Sequence, residues 1–285
     1  WGYSSSRAFA FACQYNRADL VKFLVENGAK ICPEDIFCRD SKISEELVLF
    51  LIDACPDINI CDNNGNTFLH YATSFGSTRL IKKLLDKGLN INVRNKDNET
   101  PLAYAVGSYC NIIEIIKFLL DNGADPHSRR RNHCNGSIDW PVLSLACKAG
   151  DVELVEYLID KGANINDPCI DKSCVPGFDS CPKTPLYYVL LGDSYNEEMK
   201  EETKKIIDLL MHHGADINLV KKHFIFEVSF DDRRKKMVKG LDYICSIYHP
   251  ENGLVKSSRI FNRLGIAAIS AVFIYFLVKR FDSDK

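Results

Sequence analysis

The stretch Asp62-Asn63-Asn64-Gly65-Asn66-Thr67-Phe68-Leu69-His70-Tyr71-Ala72 runs on to Lys82-Lys83-Leu84-Leu85-Asp86-Lys87-Gly88-Leu89-Asn90-Ile91-Asn92, and its recurrence decides the fold. Thirty-three residues after Thr67 comes Thr100-Pro101-Leu102-Ala103-Tyr104-Ala105, closing on Leu119-Leu120-Asp121-Asn122-Gly123-Ala124-Asp125. A third copy opens with Pro141-Val142-Leu143-Ser144-Leu145-Ala146 and ends at Lys161-Gly162-Ala163-Asn164. A fourth opens with Thr184-Pro185-Leu186 and ends at His213-Gly214-Ala215-Asp216. Upstream, Leu20-Val21-Lys22-Phe23-Leu24-Val25-Glu26-Asn27-Gly28-Ala29 closes an earlier unit. Self-similarity at one period signals a repeat architecture.

Each part of the pattern has a mechanical reason. Asp-x-x-Gly-x-Thr is turn chemistry. Thr-Pro starts a short helix, because a hydroxyl caps it and Pro fits its first turn. Leu-x-x-Ala sets a large and a small apolar residue on one face, so a neighbour approaches closely. The second helix carries an apolar stripe and stops at Gly, which tolerates a left-handed terminus. One such pair cannot bury its own stripe, whereas several stacked pairs make a continuous core.

The pattern resembles the ankyrin repeat family over residues 5–220. The resemblance implies an all-α repeat solenoid, with helix–turn–helix units joined by β-turn fingers; the uncharged run near the C-terminus adds a single hydrophobic helix after it. About six units end near residues 30, 59, 92, 125, 166 and 218. The second unit keeps its ending, Ile52-Asp53-Ala54-Cys55-Pro56-Asp57, but its opening helix is poorly marked. A degenerate capping unit is expected over 221–250, where Arg233-Arg234-Lys235-Lys236 reads as a solvated face, with nuclear import or an anionic surface as the alternative. A linker over 251–263 follows. Insertions lengthen the turn near Tyr109, the finger between Gly162 and Thr184, and the segment 193–203 between two helices.

Composition sets further bounds. With 36 Lys+Arg against 38 Asp+Glu, nothing in the charge calls for nucleic acid, and 46% apolar content excludes disorder. The chain opens on Trp1 rather than Met, which reads as a processed or truncated product. Its 12 cysteines are spread almost evenly, unlike the framework of a small disulfide-stapled domain, and read mainly as reduced packing residues. No phosphate-cradling loop, His-Glu-x-x-His or Gly-x-Ser-x-Gly occurs, so neither an enzyme nor a cofactor is expected. His70 reads as a turn-bonding residue, and His212 and His213 suit a helix end. Cys169, Cys174 and Cys181, with His133 and Cys134, are weak metal candidates; their spacing departs from paired Cys-x-x-Cys, and zinc, a disulfide and free thiols all stay open.

The resemblance implies a partner protein bound through the finger tips, the concave face and the exposed side of the short first helices. The matching positions are Asn63, Asn64, Asn66, Lys96, Asp97, Glu99, Trp140, Ser180, Cys181 and Lys183 at the tips. Ser74, Phe75, Lys148 and Ala149 follow the first helices. Phe75 and Trp140 are large apolar residues where the resemblance implies exposure, the mark of a binding anchor; packing of Trp140 against the long finger is the alternative. Arg129-Arg130-Arg131 would add a positive rim.

From Leu264 to Val278 fifteen residues carry no charge, between Arg263 and Lys279-Arg280. A helix of that length spans about 22 Å, against roughly 30 Å of hydrocarbon. Flanking Arg263, Lys279 and Arg280 can snorkel, and the segment is apolar on all sides, so it reads as a transmembrane tail anchor with the repeats in the cytosol. A thin membrane, endoplasmic reticulum or mitochondrial outer membrane rather than plasma membrane, suits its length. A buried helix sealing the fold is the competing reading. The Asn-, Lys- and Ile-rich style hints at an intracellular pathogen or virus, for which an effector role on host proteins follows by analogy. A regulatory fragment of a larger multidomain enzyme and a soluble inhibitor are the alternatives.

Overall fold

The computed structural model describes residues 2–37, 42–106, 113–131, 138–171, 183–192 and 200–220, with Tyr243, Ile244 and Ile247. The chain divides into two compact units, Trp1–Val142 and Leu143–Lys285.

In the first unit the helices follow one another two by two: α1 (Gly2–Gln14) and α2 (Ala18–Glu26), α3 (Pro33–Ile36) and α4 (Glu45–Ala54), α5 (Phe68–Phe75) and α6 (Thr78–Asp86), and α7 (Pro101–Val106) and α8 (Ile113–Asp121). The turn inside a pair is tight because its residue is left-handed, as at Gly76 with φ +80°. Ser77 then caps α6 by accepting from the Leu80 amide at 3.1 Å. The pair closes on Gly88, also left-handed, where the Leu89 amide donates to the Leu84 carbonyl and the Gly88 amide to the Leu85 carbonyl. The poorly marked second unit opens on α3, a single turn of four residues started by Pro33.

The apolar stripes meet between pairs. α5 packs against α7, α4 against α6, and α1 against α3. Val48, Leu51, Ile52, Leu69, Ala72, Leu80, Ile81, Leu84, Ile116 and Leu119 are wholly buried along that seam. Two short strands, β1 (Arg129–Arg131) and β2 (Ile138–Pro141), pair antiparallel with Arg130 opposite Trp140. This hairpin replaces the simple turn expected there.

The second unit holds α9 (Val142–Ala149), α10 (Val152–Asp160), β3 (Ile170–Asp171), α11 (Pro185–Gly192) and α12 (Glu201–His212). α12 packs against both α10 and α11. Gly150 makes the left-handed turn and Asp151 caps α10 through the Leu154 amide at 3.0 Å. From the expected capping segment, Tyr243 donates to Asp208 at 3.0 Å and Ile244 is fully buried. Otherwise 221–250, the linker 251–263 and the apolar segment 264–278 lie outside the described residues. Among the described residues no helix is long and apolar enough to cross a membrane.

An asparagine bracket recurs in both units. The Asn92 side chain donates to the Gly123 carbonyl at 3.1 Å and accepts from the Asp125 amide at 2.8 Å. Asn166 does the same to Gly214 and Asp216 at 3.0 and 2.8 Å, although the long finger and the α11–α12 segment lengthen the intervening chain. Asn92→Ala and Asn166→Ala each remove both bonds and are expected to cost about 1–2 kcal/mol. Urea unfolding reads this directly, and an unchanged midpoint contradicts the bracket.

Candidate protein-binding surface

The best-defined finger is built on Asp62. Its Oδ1 accepts from the Asn64 and Asn66 amides at 2.8 and 2.7 Å, while Oδ2 accepts from Asn66 Nδ2 at 3.0 Å and from the Tyr71 hydroxyl at 2.6 Å. Burial alone would raise the Asp62 pKa, but the hydrogen bonds from Tyr71 and Asn66 win and hold it below the usual carboxylate value. Gly65 is left-handed, with φ +79°, and a Cβ there would stand 3.0 Å from the Lys96 amide nitrogen. Only glycine lets the next finger approach so closely.

That approach is a tip-to-tip bond. The Lys96 amide donates to the Asn64 carbonyl at 2.9 Å, and Lys96 Nζ donates to the Asn63 carbonyl at 2.8 Å. Deeper, Asn95 Nδ2 donates to Asn66 Oδ1 at 2.8 Å, and Asn95 Oδ1 accepts from the Asp97 and Glu99 amides at 3.0 and 2.9 Å. The chain of bonds continues into the hairpin: the Arg131 amide donates to Glu99 Oε1 at 3.0 Å, and Arg131 pairs with Asp97 at 3.2 Å. Three successive fingers are thus joined through side chains and backbone.

His70 ties this row to the helices. Its Nδ1 accepts from the Thr67 amide at 3.2 Å while the Thr67 hydroxyl caps the helix start, a reciprocal capping box. With Nδ1 accepting, Nε2 carries the proton and donates to the Glu99 carbonyl at 3.1 Å. Burial, partly offset by that bond and by the Asp62 charge, pushes the imidazole pKa down.

A family model for ankyrin repeats in three copies matches residues 37–130, and one for a single ankyrin repeat matches 139–170. The chain belongs to the ankyrin repeat family. It is 32% identical over 224 residues to ankyrin repeat protein FPV031 of Fowlpox virus (strain NVSL), covering 74% of this chain and 59% of the relative. With FPV115 of the same virus it shares 32% identity over 184 residues, covering 52% of this chain and 30% of that protein. The chain therefore spans less than two thirds of the length of either relative. The ankyrin repeat domain of Bcl-3 superposes with a TM-score of 0.52 at 21% identity, over 73% of this chain and 86% of that one, which shows a shared fold.

Within these ankyrin fingers the expected contact positions separate into two sets. Asn63, Asn64, Lys96 and Lys148 are exposed, Ser74 and Asp97 half-buried. Phe75 is 36% exposed, with its ring 5.8 Å from Phe37, on which Tyr71 also stacks. Phe37 was not among the sequence candidates; its signal is only an aromatic residue at the end of a one-turn helix. Lys183 is half-buried and its carbonyl accepts from the Cys169 amide at 3.0 Å.

Other expectations are corrected. Trp140 is 8% exposed, because the β1–β2 pairing turns it inward, so it is no surface anchor. Glu99 is fully buried and Asn66 nearly so; both spend their polar atoms joining fingers. Arg129, Arg130 and Arg131 form no open rim, since Asp139, Glu99 and Asp97 lie 3.6, 3.9 and 3.2 Å from them. Cys169 is buried, and no group of three metal-ligating side chains occurs among the described residues. Cys174, Cys181, Ser180, His133 and Cys134 lie outside them.

The folded His70 pKa is depressed, so the unfolded chain takes up the proton first and stability falls as pH drops below about 6.5. Thermal unfolding between pH 7 and pH 5 should show this slope, and His70→Gln should flatten it. Equal slopes for the two proteins would mean that His70 binds its proton equally in the folded and unfolded chain, and would contradict the depressed pKa.

Proposed function

We propose that this ankyrin repeat chain is a non-enzymatic recognition scaffold. It binds another protein with the exposed tips at Asn63, Asn64 and Lys96 and with the flank of α5 at Ser74 and Phe75. Lys148 takes the corresponding place in the second unit. The observation that carries the reading is the bonding of finger to finger, since a tip fixed before contact loses little entropy on binding. Phe75 adds a partly exposed aromatic edge, the side-chain type that dominates binding energy.

The reading extends to location. Residues 264–278 anchor the chain in a thin membrane with the repeats in the cytosol; the uncharged run and its basic flanks support this. The 32% identity to a Fowlpox virus protein supports an effector acting on host proteins. A regulatory segment of a longer multidomain protein is the second reading, favoured by the chain's covering only 59% and 30% of its viral relatives.

Two experiments test it. Phe75→Ser with Lys96→Glu should lower stability by about 1–2 kcal/mol, through loss of the Phe37 contact and the Nζ bond to Asn63, and cut partner recovery by the still-folded full chain at least tenfold; unaltered recovery removes the tip assignment. Alkaline carbonate extraction of membranes should leave residues 1–285 in the pellet and release a chain ending at Asn262. Release of both chains would turn the search to a soluble binder.

A further inference from the structure

The first helix pair leaves open the side on which each later pair of the first unit meets its predecessor. Contacts inside the unit define that side. Lys83 of α6 and Lys87 just after it reach back to Asp53 of α4 at 2.9 and 3.1 Å, and Arg79 to Glu46 at 4.0 Å. The Phe50 ring of α4 lies 5.6 Å from Lys22 Nζ of α2. Tyr71 of α5 stacks at 5.5 Å on Phe37 of the preceding pair, which Phe75 meets edge-on at 5.8 Å. Tyr104 of α7 meets His70 in the same way at 5.9 Å.

The first pair has counterparts for these positions. Counted back from the residues that close each pair, Gly28, Cys55, Gly88 and Gly123, Phe23 takes the place of Phe50 and Lys83, and Leu20 that of Leu47, Leu80 and Ile115. Counted from the left-handed turn residues Asn16 and Gly76, Phe11 takes the place of Tyr71 and Tyr15 that of Phe75. Leu47, Leu80 and Ile115 are 3%, 0% and 2% exposed, whereas Leu20 is 43% exposed. Phe11, Tyr15 and Phe23 are each 59% exposed. Four large apolar side chains thus continue an interface that is closed at the Leu20 position in every later pair of the unit and is filled by Phe37 against the Phe11 and Tyr15 positions of the α5 pair.

We propose that this face is a stacking surface for one further helix pair of the same repeat type, joined ahead of α1. Continuity with the interface between the later pairs names the occupant, because only the trailing side of such a pair presents groups spaced to meet Phe11 and Tyr15 on one helix and Leu20 and Phe23 on the next. Charge adds a detail: Asp19 stands where Arg79 pairs with Glu46, so the incoming pair carries a basic residue at the Glu46 position. A solvated end would carry polar groups at these sites instead.

The test compares the full chain with the same chain carrying a consensus ankyrin helix pair fused ahead of Trp1. Hydrogen exchange of the α1 and α2 amides is expected to slow at least tenfold in the fusion. Leu20→Lys, tolerated by the unfused chain because the side chain is already 43% exposed, should return the fused protein to the unfused rates, since its counterparts Leu47, Leu80 and Ile115 are all buried; Tyr15→Ser is a second variant with the same expectation. Unchanged exchange on fusion, or a fusion indifferent to both substitutions, overturns the proposal. So does a concentration-dependent dimer of the unfused chain that Leu20→Lys dissolves, since the face would then belong to a second copy.

Discussion

A helix pair in this chain owns one apolar stripe, and the only surface that can bury it is the neighbouring pair. α4, α6 and α8 each carry residues that are wholly buried only because another pair lies against them. Everything else follows from that dependence. The left-handed turn residues exist to keep each pair compact, the Schellman closures stop the second helix in register, and the asparagine brackets fix the spacing from one pair to the next.

The fingers answer a different constraint. A turn projecting from such a fold carries backbone amides and carbonyls with no helix or sheet to satisfy them. Here those groups are consumed by Asp62, which bonds within its own finger, and by Asn66, Asn95 and Glu99, whose side chains bond both within their own finger and across to a neighbouring one. The buried polar set makes the exposed tips rigid, and His70 ties it to the capping box of α5. Exposed and buried positions therefore interleave along one short segment: Asn63, Asn64 and Lys96 face solvent, whereas Asp62, Asn66 and Glu99 are buried.

This alternation explains what the sequence disclosed and what it hid. Thr-Pro-Leu, the Leu-Leu stripe and the closing glycines were legible because each has a backbone duty that few residues perform. The second repeat was obscure because its opening helix, α3, is a single turn of four residues with no room for the Leu-x-x-Ala pair, while α4 keeps the expected ending with Cys55 in extended backbone where the others place glycine. Glu99 looked like a surface carboxylate; only the convergence of the Arg131 amide and Asn95 on it, from elsewhere in the chain, reveals a buried one. Trp140 was misjudged because strands of three and four residues give too short a period for alternation to be read.

Native-state hydrogen exchange, read residue by residue on the full chain, tests the central claim that the fingers are fixed before any partner arrives. The amides of Asn66, Lys96, Glu99 and Arg131 should exchange as slowly as those in the middle of α6. If these four exchange at free-peptide rates while α6 stays protected, the tip-to-tip bonds do not hold in solution, and a preformed binding surface is contradicted.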